Sequence, residues 1–107
     1  MSSQRSVRSR TGSISVVTTE QGLPVSLKID QRELAKPPQA LADEIFALCR
    51  LSAMRQQVAR RRDILREPYG AEIVRVMELA TENELAVAEE AIMGSDDEPP
   101  VTWMRSV

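Results

Sequence analysis

Six arginines fall within seventeen residues of this 107-residue chain: Arg50, Arg55, Arg60, Arg61, Arg62 and Arg66. Guanidinium groups suit two kinds of partner, phosphates or carboxylates. Arg55, Arg62 and Arg66 lie near one line of a helix, whereas Arg50, Arg60 and Arg61 lie elsewhere around it. A nucleic-acid helix concentrates cations on one face and adds aromatics or amides for the bases. Here the cations encircle the helix and no aromatic is interleaved. The charge distribution offers them another partner. Residues 50–66 carry +5, and the next stretch, 67–93, carries −6. An acidic segment folding back on the basic one compensates both. Nonspecific DNA binding is the alternative, through Arg5, Arg8 and Arg10 of an N-terminal arm together with Arg55, Arg60, Arg61, Arg62 and Arg66, and it predicts an affinity that falls steeply with salt.

Other reactive groups are scarce. There is no histidine, which removes the commonest general base and the commonest transition-metal ligand. Cys49 is the single cysteine, so neither an internal disulfide nor a cysteine cluster for zinc is available. It sits among apolar neighbours, where a thiol behaves as a small hydrophobe. Gly12, Gly22, Gly70 and Gly94 never gather into a phosphate-cradling loop. Asp43 and Glu44 are adjacent on a helix and diverge by about 100°, a poor geometry for paired carboxylates. The expectation is a protein without catalytic residues, cofactor or metal.

The elements that carry these side chains show in the hydrophobic pattern. "SISVVTT" (13–19) and "LPVSLKID" (23–30) read as strands, the second alternating Leu23, Val25, Leu27 and Ile29 against Ser26, Lys28 and Asp30. Gly22 supplies the turn between them, and Pro24 marks an edge. A helix is expected over 38–66, opened by proline in its first turn and stopped by Pro68. At 1.5 Å per residue it is about 43 Å long, against about 27 Å for an eight-residue strand, so a hairpin covers only its first half. That half is apolar nearly all round, which requires cover on more than one side. The stretch 71–94 is helical in pattern, and Thr81 with Glu84 forms a capping box, placing a break near residue 80; a continuous helix is the rival reading. Gly94 closes the last helix.

The expected organisation is a disordered basic arm (1–11), a single α+β domain (12–93) and a flexible acidic tail (94–107) bearing Trp103 and Met104. The domain is a β-hairpin packed on a long α-helix, followed by two shorter helices. A chain this small often gains stability by oligomerising, so a homodimer or larger assembly is expected. No stretch approaches the roughly 18 apolar residues of a membrane span, and the N-terminus has no hydrophobic core of a signal peptide. The expectation is therefore a soluble cytoplasmic protein with no membrane insertion.

The stretches "SISVVTTEQG", "VSLKID" and "LADEIFALCRLSAMRQQ" resemble the central domain of the mycobacterial EspD/EspH-like proteins associated with ESX (type VII) secretion. The matching positions are Ser13, Ser15, Val16, Gly22, Val25, Leu27, Leu41, Ala42, Glu44 and Ile45, and the likeness spans roughly 12–93. It implies a chaperone-like or accessory role with a secretion-associated protein partner. The long acidic extension of those proteins is replaced here by a short basic arm. Trp103 is followed by Met104 and Arg105, and Ile73 follows Tyr69 by four residues, so neither the W-x-G turn nor the Y-x-x-x-D/E export signal of type VII substrates is present. A fainter likeness, in strand–strand–helix order, is to the YbaB/EbfC nucleoid-associated proteins, small DNA-binding dimers with a helix before the sheet. The expected function is a non-enzymatic protein–protein interaction module, with Phe46, Leu51, Met54 and Val58 as the contact surface and the strand edges as the second contact.

Overall fold

The computed structural model of the chain describes residues 6–94. Three antiparallel strands, β1 (Val7–Arg8), β2 (Ile14–Thr18) and β3 (Pro24–Ile29), form a sheet in the order β1-β2-β3. A 3₁₀ turn, Gln31–Ala35, leads into α1 (Pro38–Leu65), and two short helices follow, α2 (Gly70–Met77) and α3 (Glu82–Glu89). The last turn of α3 widens into π geometry over Glu90–Gly94. The fold is α+β, as its pattern predicts.

One strand is unforeseen. The arm expected to be disordered contributes β1, where Val7 pairs with Val16 and is buried. The Arg/Ser composition hides this because the pairing relies on backbone and hydroxyl groups. Ser9 exchanges bonds with Ile14, its N–H donating to the Ile14 carbonyl (2.8 Å) while its hydroxyl accepts the Ile14 N–H (3.2 Å). Gly12, at φ +79°, closes the turn with its N–H on the Ser9 carbonyl (2.9 Å).

The extra strand moves the helix. α1 packs on β1 and β2, and the core forms there from Val7, Ile14, Val16, Leu48, Cys49 and Leu51. The hydroxyl of Thr18 bonds Ser52 (2.7 Å) at the same interface. Leu41 and Ile45 of α1, with Leu85, Ala88, Ile92 and Met93 from the C-terminal helix, pack around that core. A helix is about 10 Å across and strands lie about 4.8 Å apart. Seated over β1 and β2, α1 leaves β3 uncovered.

The turns are specified residue by residue. α1 ends with the Arg66 N–H on the Asp63 carbonyl, and the chain reverses through "EPYG" with the Gly70 N–H on the Glu67 carbonyl (2.9 Å). Gly70 is required by contact, because a Cβ there would lie 2.0 Å from the Ile64 carbonyl oxygen. Glu78, in the left-handed region at φ 55°, ends α2. Thr81 then starts α3 with a complete capping box: its hydroxyl accepts the Glu84 N–H (3.1 Å) and its own N–H donates to Glu84 Oε1 (3.0 Å). The break near residue 80 is present, and the continuous helix is not.

Two substitutions test these turns by urea unfolding. Thr81→Ala should cost about 1 kcal/mol through loss of the cap. Gly70→Ala should cost about 1–3 kcal/mol through overpacking against α1; an unchanged midpoint would show that the reversal opens without strain.

Candidate protein interface

Four of the six arginines, three in α1 and Arg66 just after it, meet carboxylates of their own chain. Arg55 pairs with Glu89 of α3 (2.8 Å), and Arg60 with Glu20 in the β2–β3 turn (2.9 Å). Arg62 makes a two-point contact with Glu82 at the start of α3, its Nη2 lying 2.7 Å from Oε1. Arg66 lies 3.3 Å from Asp63. The Arg62 guanidinium holds the Glu82 carboxyl below its ordinary range, helped by the charge of Arg61, and Glu82 in turn raises Arg62. A groove of about 770 Å³ beside these pairs is lined by Val7, Ser52, Arg55, Val58, Leu85 and Glu89 among others; its Arg55 is already paired across it. Arg8 and Arg10 are exposed near the β1–β2 turn, away from the second half of α1, and Arg5 lies outside the described residues. Among the described residues, the candidate DNA contacts are therefore not gathered into one open cationic face.

Amides reinforce the same seam. Gln56 donates to the Thr18 carbonyl (2.5 Å). Gln57 donates to the Glu20 carbonyl (3.0 Å) and accepts the Ala80 N–H (3.1 Å), bridging the hairpin turn and the α2–α3 connection.

A second polar cluster ties the start of α1 to the sheet. Glu33, buried at 5 % exposure, accepts from the Ser13 hydroxyl. The Lys36 ammonium lies 2.7 Å from Glu33 Oε1, an ion pair set outside the geometry of a directed hydrogen bond, and 2.9 Å from Glu44. Lys36 first and Ser13 second hold the Glu33 carboxyl below its ordinary 4.5, against the opposing effect of burial. These contacts tie the 3₁₀ turn and the first turns of α1 to the sheet. Burial pushes the Cys49 thiol up, away from thiolate. Among the described residues no three His, Cys, Asp or Glu side chains converge as a metal cage, and no helix is long and apolar enough to cross a membrane.

Apolar exposure is the more informative feature. Of the four residues expected to form a contact surface, Leu51 and Val58 are closed inside the chain's own core and cannot meet a partner. Met54 is half-buried, and Phe46 is 66 % exposed. Both corrections have one cause: α3 folds back over the flank of α1 that carries Leu51 and Val58, and no described element covers the flank that carries Phe46. The row expected to face the helix, Leu23, Val25 and Leu27, is exposed instead at 64, 59 and 44 %. Leu27 and Ile29 stand opposite Val16 and Ile14 on the sheet, so they continue the core face beyond the reach of α1. The signal for this was Pro24, which marks β3 as an edge strand, together with the hidden apolar Val7 that draws the helix the other way. A second exposed group, Leu65, Tyr69, Ile73 and Val76, lies at the far end of the molecule around α2.

The Glu33 cluster carries a pH dependence with a definite sign. A carboxyl whose folded value is depressed contributes stability that is fully present above its unfolded value and is lost as pH falls through the folded one. Urea midpoints taken from neutral to acid pH should fall further in the native chain than in Glu33→Gln. Parallel curves would show that Glu33 is not held ionised by Lys36 and Ser13.

No family model, no curated protein and no solved structure matches the chain, so the reading of its function rests on the surfaces described above.

Proposed function

We propose that the chain is a non-enzymatic protein–protein interaction module whose contact surface is the free side of β3 together with Phe46. The observation that carries this is the exposure of Leu23, Val25, Leu27 and Phe46 beside an unpaired strand edge. Exposed apolar surface next to unpaired backbone is a costly arrangement for an isolated monomer and the usual substrate of strand addition. The internal pairing of Arg55, Arg60, Arg62 and Arg66 weighs against polyanion binding, since each phosphate contact first requires a carboxylate to be displaced.

The narrower reading is a cytoplasmic accessory or chaperone-like protein of type VII secretion. It rests on the resemblance at "LADEIF", whose last residue is the exposed Phe46.

Two measurements test the proposal together. Purified protein should leave a labelled DNA duplex unshifted at low and moderate salt. A photo-reactive residue in place of Phe46 should form protein adducts in cells, including a secretion component on the narrower reading. A duplex shift that fades with salt, or adducts that form from position 62 and not from 46, overturns the interaction reading.

A further inference from the structure

Resting on the interaction surface just described, we infer that its occupant is a second copy of the chain. The two copies join β3 to β3 about a two-fold axis through Leu27, and Asp43 of each α1 faces Arg50 of the other.

The strand edge fixes the register. The Asp30 N–H donates to the Ser13 carbonyl (2.7 Å), and Lys28 stands opposite Ser15. Alternation along an antiparallel ladder then turns the backbone groups of Leu27 and Ile29 away from β2, toward the free edge. A two-fold axis at Leu27 sets each Leu27 opposite its copy and each Val25 opposite an Ile29. The inner apolar face becomes continuous across the junction. The next two-fold register, centred on Lys28, sets two ammonium groups directly opposite and is disfavoured. The irregularity between Val17 and Thr18, which leaves Val25 as the extra residue of β3 beside Pro24, blunts the other end of the edge.

The helix supplies a second, independent match. Residues 39, 43, 46, 50, 53 and 57 are spaced by four and three, which makes them one stripe of α1. Ala53 locates that stripe, because a Cβ added to Gly22 in the β2–β3 turn would lie 3.8 Å from the Ala53 Cβ. Phe46, two turns earlier, is therefore on the flank of α1 beside β3. α1 runs in the same direction as β2: Thr18 meets Ser52 and Gln56, while Ser13, at the other end of the strand, is tied through Glu33 and Lys36 to Glu44 in an earlier turn. A two-fold axis perpendicular to the sheet makes the two helices antiparallel and turns their Phe46 flanks toward each other. Asp43 precedes Phe46 by three residues and Arg50 follows it by four. An antiparallel pair centred there brings each Asp43 against an Arg50.

The chain leaves these two charges available. Both residues are exposed, and among the described residues neither makes an ion pair; Asp43 accepts only from Gln39 (2.8 Å). Arg55, Arg60 and Arg62 reach carboxylates on other elements, whereas among the described residues Arg50 and Arg61 do not.

Light scattering on the full chain, after size-exclusion chromatography over a wide concentration range, reads the outcome. The native chain should run at twice its 11.9 kDa mass. Asp43→Arg and Arg50→Asp should each weaken the dimer about tenfold or more, since each places like charges together twice. The double variant, Asp43→Arg with Arg50→Asp, should restore it. Leu27→Lys should be monomeric. All three positions lie on the surface, and an unchanged circular dichroism spectrum separates dissociation from misfolding. A native monomer at every concentration, or a dimer that the double variant fails to restore, overturns the inference. A native monomer that still forms protein adducts from position 46 would overturn the second copy as occupant and leave the interaction reading in place.

Discussion

A single helix about 10 Å wide covers a sheet of three strands, and most features of this molecule follow from which two strands it covers. α1 sits over β1 and β2 because Val7, Ile14 and Val16 offer it an apolar floor. C-terminal helix residues Leu85, Ala88 and Ile92 then close the opposite flank of α1, around Leu51 and Val58. What remains, among the described residues, is a strand whose inward row has no roof and an aromatic that stays exposed. Centring α1 between β2 and β3 would have reversed this, leaving the arm loose and β3 covered. Burying Val7 at 2 % exposure is thus as decisive for the surface as for the core.

The change of character along α1 has a physical explanation in the same geometry. Its first half lies over the sheet and must be apolar. Its second half runs beyond the strands, between the β2–β3 turn and the start of α3, and both of these present carboxylates. Glu20 comes from one side; Glu82 and Glu89 come from the other. Exposed ion pairs contribute little energy one at a time. Placed along a seam with Gln56 and Gln57, they fix where the second half of the chain lies against the first.

Much of this was legible in the sequence. The long helix runs over Pro38–Leu65, within a residue of the proline-bounded expectation, because Pro38 and Pro68 are strong local signals. The Thr81–Glu84 capping box is equally local and is complete. The charge reversal between 50–66 and 67–93 foretold the fold-back. What could not be read was β1, since "SVR" in an Arg/Ser stretch has neither length nor alternation, and its pairing depends on Ser9 and Gly12 meeting Ile14 in space. Missing that strand hid the exposure of β3 as well. The burial of Leu51 and Val58 was hidden for a related reason: a helix apolar on several sides does not say which side its own chain will cover.

Gln57 is one side chain holding two backbones. Its amide nitrogen takes the carbonyl of Glu20 and its amide oxygen takes the N–H of Ala80, so the hairpin turn and the loop between the short helices share a single clasp on α1. Neither loop can fray without stripping a hydrogen bond from the residue that anchors the other. Small proteins open in contiguous units whose boundaries fall where such ties are absent. Here the tie spans sheet and helices, and it joins the opening of the two loops into one cooperative event.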